Sequence, residues 1–125
     1  MSLGPHPVSL VRGQLKARRC TTARDLPGLS HGRNIRVAGL VTLRQRPETA
    51  SGVTFLTLED ESGMLNIVVW QRIAERQRRV LLESRLLGVA GRVEFVDGVQ
   101  HIIAEQLLDY TPLFDELDSR SRDFR

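Results

Sequence analysis

A chain of 125 residues with 41% hydrophobic residues has room for one packed domain and a tail, but not for two full cores. No stretch approaches the ~18 consecutive apolar residues of a membrane-spanning helix, and the first residues lack the basic and apolar regions of a secretory signal. The only cysteine, Cys20, cannot form an internal disulfide, and no Cys or His residues have zinc-ligand spacing. These features predict a cytoplasmic protein with no membrane partner and a structural role for Cys20.

Charge is distributed unevenly along the chain, although the net charge is only +3. Residues 1–46 contain nine Arg and Lys residues against one acidic residue, whereas residues 94–125 contain eight acidic residues against three arginines. A basic half beside an acidic end suggests a polyanionic partner on the basic side. An ordinary solvated surface would produce the same distribution, so charge alone leaves both interpretations open.

Residues 1–33 are predicted to form a short helical and linker segment. Pro7 can begin a helix that continues to about residue 19, and its apolar side would carry Val8, Leu10, Val11 and Leu15. Residues 25–28, with a Pro-Gly pair, indicate a turn or a single helical turn.

A barrel of five strands is predicted over residues 34–110. The first strand, residues 34–44, has apolar residues on both faces around Gly39, which favours a long strand bent by a bulge or coil at that glycine. After a loop over residues 45–52, a tight turn at residues 60–63 joins strands at 53–59 and 64–70. Beyond a helix at 71–84, in which Glu75 and Arg79 are spaced to pair, an Asp-Gly turn joins strands at 86–96 and 99–108.

The resulting order, β-β-β-α-β-β, is typical of the OB-fold, a mainly β five-stranded barrel that mostly binds oligonucleotides or oligosaccharides. The helix between the third and fourth strands is expected to plug the open end of the barrel. Residues 111–125 are predicted to form an acidic, partly disordered tail, because Pro112 and mixed charges dominate them.

The second strand offers an aromatic side chain for stacking on nucleic-acid bases. Leu56 and Leu58 share a face and are expected to point into the barrel, so Phe55 and Thr57 point outward. An outward Phe on an OB barrel can stack a base. The alternative is that Phe55 packs beneath the N-terminal helix.

Two residues of the third strand have the same parity and could join Phe55 in a binding face. Asn66 has both a donor and an acceptor, as contact with a base edge requires. Trp70 could stack on a base, although packing on the following helix is the favoured interpretation.

Arginines are the candidate phosphate contacts. Arg36, Arg44 and Arg46 lie along or just beyond the first strand, and Arg92 on the fourth could widen a basic groove. Each could instead be a solvated surface charge. The arginines of the helix at 71–84 are more simply explained as its solvent face.

The acidic run at residues 59–61 raises the question of metal-dependent catalysis. Carboxylates can hold Mg²⁺ for phosphoryl transfer, but adjacent strand residues point to opposite faces, and a turn-capping role for Asp60 is favoured. The chain contains no phosphate-binding loop, zinc-protease motif or nucleophile elbow. The sequence therefore predicts a non-catalytic chain that needs no cofactor.

Several segments together resemble the C-terminal OB domain of the error-prone, C-family bacterial DNA polymerases, relatives of the DNA polymerase III alpha subunit. They are LGPHPVSLVR at 3–12, RVAGLVTLRQRPETASGVTFLTLEDESGMLNIVVW at 36–70, LLGVAGRVE at 86–94 and HIIAEQL at 101–107. The run RQRPETASGV followed by TLEDESG is the most specific. VAGLV with a later F-x-x-L-x-D is also similar to anticodon-binding OB domains of class II aminoacyl-tRNA synthetases, where residues matching Phe55 and Asn66 stack on a base and read a base edge.

This resemblance implies a parent enzyme that copies damaged DNA during the SOS response, with an inactive Y-family-like polymerase and the sliding clamp as partners. The family's catalytic aspartates, and the Mg²⁺ they would hold, belong to a palm domain outside the matching segments. The OB domain would contact single-stranded template. A protein-docking barrel for polymerase accessory factors, or a tRNA- or RNA-binding module, remains the alternative.

Overall fold

The computed structural model of the protein describes residues 5–48 and 51–123. Residues 49 and 50 of the predicted first loop, and the last two residues of the predicted tail, lie outside the described residues, as do residues 1–4. The five strands of the described part are β1 (Asn34–Gln45), β2 (Thr54–Asp60), β3 (Gly63–Val69), β4 (Leu86–Val96) and β5 (Val99–Asp109). Its α-helices are α1 (Arg12–Ala17), α2 (Gln71–Arg76), α3 (Arg78–Glu83) and α4 (Pro112–Asp123), and 3-10 helices cover Pro7–Val11 and Ala23–Gly28.

The strands form a closed barrel in the order β1-β2-β3-β5-β4. β1 pairs with β4 through its first half and with β2 through its second half. The barrel closes where β3 and β5 run parallel, at Ile67–Ile102 and Val68–Ile103. The predicted fold class, a mainly β five-stranded OB barrel with the order β-β-β-α-β-β, is confirmed.

Alternation along each strand fills the barrel with aliphatic side chains. Leu56 and Leu58 of β2 point inward, as predicted, and meet Leu65 and Ile67 of β3 in one buried cluster. Burial of each such side chain contributes about 1.5–3 kcal/mol. Because the inner face is fixed by these residues, the odd-numbered residues Phe55 and Thr57 must lie on the outer face.

Of the predicted bulge or coil at Gly39, the bulge lies instead two residues further along β1. The register of β1 against β2 shifts between Val41 and Leu43, whereas Gly39 continues the regular pairing with β4. A Cβ atom at Gly39 would lie 2.9 Å from the carbonyl oxygen of Glu59. Glycine is therefore required at this position, because β1 passes close to the backbone of β2 where its pairing changes from β4 to β2. The irregularity in β1 comes after the glycine, between Val41 and Leu43.

The predicted single helix at residues 71–84 is divided in two at Gln77. The Gln77 side chain donates to the backbone carbonyl of Leu107 at 2.7 Å and accepts from its N–H at 2.8 Å, which ties the break to β5. The predicted Glu75–Arg79 pair is not formed, because Glu75 accepts from Gln71 and Arg79 pairs with Glu83.

The segments that flank the barrel meet in a second apolar cluster on the outer side of β1 and β4. Val8, Val11 and Leu15 of the N-terminal helical segment pack there with Leu113 at the start of α4. The strands contribute Ala38 and Leu86. The tail, predicted to be acidic and partly disordered, is helical over residues 112–123, and the apolar side of its first turn is buried.

In the described ranges, no helix is long and apolar enough to cross a membrane.

Candidate nucleic-acid interface

The outer surface of β2 and β3 carries the aromatic and amide residues predicted to bind nucleic acid. Phe55 is 36% exposed and lies directly across from Val68, and Thr57 lies across from the exposed Asn66. Directly opposed residues of antiparallel strands have Cβ atoms about 4.5–5.5 Å apart. Phe55, Thr57 and Asn66 therefore share one continuous surface.

An apolar platform supports this surface outside the barrel. Val53, Val68 and Ile103 form a buried cluster separate from the barrel core. The N-terminal helical segment packs against β1 and β4 instead, so the alternative that it covers Phe55 is wrong. The Phe55 ring is left available above an apolar floor, which is the geometry that a stacked base requires.

The β4–β5 hairpin borders the face at the Asn66 end. Its turn residues Asp97 and Gly98 have φ of 52° and 78°, as the predicted Asp-Gly turn requires. An open cavity of about 340 Å³ lies here, lined by Asn66, Met64 and Val99 among others. Met64 is 65% exposed, and the sequence analysis missed it although it has the same strand parity as Asn66.

Trp70 and the first loop border the opposite end. Trp70 follows β3, precedes α2 and is 54% exposed, so it is a surface residue rather than one buried against that helix. Arg46 is exposed and lines a cavity of about 250 Å³ between the loop and α2–α3. Arg44 lines the same cavity, but its guanidinium donates to the carbonyl oxygens of Leu81 and Ser84, both at 2.8 Å. Arg44 thus caps the end of α3 and is already engaged.

The other two predicted arginines lie away from this face. Arg36 is in the half of β1 that pairs with β4, across from Ala90. Arg92 on β4 pairs with Glu94 at 2.8 Å and lies 3.6 Å from Glu105. The structure therefore brings together Phe55, Thr57, Asn66, Trp70 and Arg46, and it separates Arg36 and Arg92 from them.

Asp60 has the predicted turn-capping role. Its buried carboxylate accepts from the backbone N–H groups of Ser62 at 2.7 Å and Gly63 at 3.0 Å, and from Ala23 N–H at 2.8 Å. Within the described ranges, no three His, Cys, Asp or Glu side chains are placed to hold a metal ion.

Cys20 is a packing residue beside the second apolar cluster. Burial raises the pKa of its thiol, although Arg12, Arg36 and Arg18 act in the opposite direction. A thiol held in its protonated form is a poor nucleophile, which agrees with the predicted structural role.

Comparison with known proteins agrees with the fold. Residues 35–110 match the family model described as the OB-fold nucleic acid binding domain, of the tRNA anticodon type. The chain belongs to this family. Among solved structures, this OB domain is similar to asparaginyl-tRNA synthetase from Pyrococcus horikoshii, with a TM-score of 0.61 and 22% identity over 73% of this chain and 22% of the synthetase. It is also similar to the OBody AM1L10 bound to hen egg-white lysozyme, with a TM-score of 0.59 and 18% identity over 74% and 91% of the two chains. At these identities the likeness shows the fold.

Sequence relatives are much more similar. The error-prone DNA polymerase of Pseudomonas paraeruginosa (strain PA7) is 64% identical over 123 residues, which cover 98% of this OB domain and 12% of the polymerase. That of Xanthomonas oryzae pv. oryzae is 55% identical over 124 residues, covering 99% and 11%. The resemblance to error-prone polymerases is confirmed, and the chain spans about an eighth of the length of these relatives.

Proposed function

We propose that this OB domain binds single-stranded DNA across the outer face of β2 and β3, as a template-holding module of an error-prone DNA polymerase. The observation that carries the proposal is the Phe55 ring, exposed above the Val68 platform and flanked by Asn66. A base stacked on such a ring gains about 1–3 kcal/mol without regard to its identity, which suits a module that must accept any template.

The residues around Phe55 divide the recognition of the strand among them. Asn66 can donate to and accept from a base edge, and Thr57 adds a hydroxyl next to it. Arg46 is placed at the loop end to contact phosphate, and Trp70 offers a second ring. Bases would run from the β4–β5 hairpin towards the first loop.

The proposed place in the cell follows from the polymerase relatives. A longer protein with this domain would copy damaged DNA during the SOS response, in the cytoplasm, with the sliding clamp and an inactive Y-family-like polymerase as partners. Mg²⁺ chemistry would belong to its catalytic domain, and this OB domain would supply no catalytic group. Its contribution would be to keep the unpaired template extended near the active site.

Fluorescence anisotropy with a labelled ~20-nucleotide strand tests the proposal through Phe55→Ala. Loss of one stacked base is expected to weaken binding about 5- to 150-fold, which corresponds to ~1–3 kcal/mol. Phe55→Leu is the matched control for the fold, since it keeps an apolar cover over Val68 but removes the aromatic ring. Both variants should bind the labelled strand more weakly than the parent and have the same melting temperature as the parent.

Competition with duplex DNA and with RNA separates this function from its alternatives. Preference for single-stranded DNA supports template binding, whereas preference for RNA through its 2′-hydroxyl groups would favour an anticodon-type module. Phe55→Ala binding with the parent's affinity would refute the stacking role. Failure to bind any of the three nucleic acids at low salt would assign the face to a protein partner instead.

A further inference from the structure

A second basic surface lies on the outer side of β1 and β4. Arg19, Arg33 and Arg36 line an open groove of about 460 Å³, together with Thr21 and Asn34. Arg19 and Arg33 belong to no motif in the sequence, because they are 14 residues apart and come from two different loops. Only the fold brings them beside Arg36.

Backbone contacts hold the loop that follows α1, residues 18–21, against β1. Arg19 has a left-handed φ of 61°, which is uncommon for a residue other than glycine. The N–H of Arg19 closes the turn by donating to the carbonyl of Lys16 at 2.9 Å. Cys20 then forms an isolated parallel bridge with Arg36, and Thr21 N–H donates to the Arg36 carbonyl at 2.6 Å. Arg19 is therefore positioned by the chain on both sides of it.

The loop that precedes β1, residues 29–33, is bonded to β4 in a similar way. Gly32 N–H donates to the Val93 carbonyl at 2.6 Å, and Val93 N–H donates to the Arg33 carbonyl at 2.9 Å. These bonds place Arg33 at the edge of the groove. All three arginines are thus carried by backbone that is already ordered, which lowers the entropic cost of binding a ligand between them.

Small residues leave room along the groove. Ala90 and Gly91 of β4 line it. A Cβ atom at Gly91 would collide with the carbonyl oxygen of Ile103, so that position excludes every side chain. A groove with a low floor and basic walls accommodates an extended chain better than a compact ligand.

The positive charge of the groove is poorly compensated. Among the described residues that line it, Glu105 is the one acidic residue, and its carboxylate lies 3.6 Å from Arg92. In the part of the chain that the structure describes, no ion pair involves Arg19, Arg33 or Arg36. Like charges held close together repel one another, and an anion with several negative groups would relieve that repulsion.

We propose that this groove binds the sugar–phosphate backbone of the same nucleic-acid strand whose bases stack on the β2–β3 face. The inference rests on the proposed function, and it adds a second, sequence-independent contact. Guanidinium groups form paired hydrogen bonds with phosphate oxygens, and Thr21 and Asn34 add neutral donors. The described lining of the groove contains no aromatic residue, so it would hold phosphates and leave the bases outward.

The barrel geometry makes a continuous path possible. The path follows paired residues across β3 and β5 to β4. Phe55 lies across from Val68, and Val68 lies across from Ile103. Ile103 lies across from Arg92, which pairs with Asn34 in the groove. Neighbouring strands are about 4.8 Å apart, so three steps separate Phe55 from β4 by roughly 15 Å of sheet. A nucleic-acid strand that leaves the stacking face would cross β5 and enter the groove.

The test compares a labelled strand of about 5 nucleotides with one of about 20 over a series of salt concentrations. For single strands, each phosphate contact contributes about 0.7 to the slope of log affinity against log salt. The variant Arg19→Gln/Arg33→Gln/Arg36→Gln is expected to lower that slope by about 2 for the long strand and by less for the short strand, which makes fewer phosphate contacts. Arg72→Gln/Arg76→Gln/Arg79→Gln, exposed on α2 and α3, removes the same charge and should lower the slope by much less.

Each result decides something. An unchanged salt slope in the groove variant would overturn the proposal. An equally large decrease in the salt slope of the α2–α3 variant would overturn it too. If the groove variant fails to fold by circular dichroism, Arg33→Gln alone, in a loop, should lower the slope by about 0.7. Phe55→Ala separates the two sites, because it should weaken both strands without changing the slope. If Phe55→Ala binds with the parent's affinity while the groove variant has a reduced salt slope, the stacking role of Phe55 is refuted and phosphate binding in the groove is supported.

Discussion

Replacement of Asp60 by Ala is expected to destabilise the protein strongly, although Asp60 has no part in binding. The side chain is fully buried, and its two oxygens accept four hydrogen bonds, three from backbone N–H groups and one from the Ser62 hydroxyl. The same carboxylate lies 3.7 Å from the Arg12 guanidinium. One side chain therefore joins the β2–β3 turn, the 3-10 helix that begins at Ala23, and α1, which begins at Arg12.

The magnitude follows from these contacts. Removal of one partner from a buried charged network typically costs about 3–5 kcal/mol, because the remaining groups are left unpaired. Asp60→Asn keeps one acceptor oxygen for the turn but directs an NH₂ group at a donor, so about 1–3 kcal/mol is expected. For a domain of this size, the alanine variant should melt about 10–20 °C below the parent.

Urea denaturation followed by far-ultraviolet circular dichroism measures these differences directly. Glu75→Ala is the matched control, because Glu75 is an exposed carboxylate whose described hydrogen bond comes from Gln71 alone, and its loss should stay within about 0.5 kcal/mol. An Asp60→Ala variant within about 1 kcal/mol of the parent would refute the idea that this carboxylate holds the turn.

Two further predictions concern charge and close packing. A double hydrogen bond from Arg12, at 2.7 Å to each oxygen, holds the pKa of the Glu61 carboxyl below its usual range. Glu61 should therefore stabilise the fold above pH ~4.3 and lose this effect as the pH falls through its folded-state pKa. Urea titrations from pH 3 to 7 should show a shallower acid loss in Glu61→Gln, and parallel curves would contradict this. Gly39→Ala should lower the free energy of unfolding by about 1–3 kcal/mol, because it forces a Cβ atom against the Glu59 carbonyl. Gly13→Ala in α1 is the control: it has open space around it and should raise the free energy of unfolding by about 0.5–1 kcal/mol. Equal effects of the two substitutions in thermal melts would count against the packing argument.

Elements with a local chemical signal could be predicted closely from the sequence. The β4–β5 hairpin is an example, since an Asp-Gly pair between two apolar runs specifies both the turn and the register. β4 has the predicted bounds, Leu86–Val96. The outward position of Phe55 was equally accessible, because alternation along β2 needs no knowledge of distant residues.

Features that depend on distant partners could not be predicted. The start of α4 is ordered by Val8 and Val11, which lie about a hundred residues earlier, and its acidic composition conceals the apolar side formed by Leu113 and Leu117. Arg44 was a reasonable candidate for phosphate binding by position alone. Only the fold shows that the carbonyls of α3 already accept its hydrogen bonds.

The position of Trp70 has a consequence for spectroscopy. It is the only tryptophan in the chain, and more than half of its surface is open to solvent at the end of β3. Its emission therefore reports on the outer β2–β3 face and changes little with the packing of the aliphatic core. The protein thus carries an intrinsic optical probe beside Phe55, so that occupancy of the face can be followed without a label.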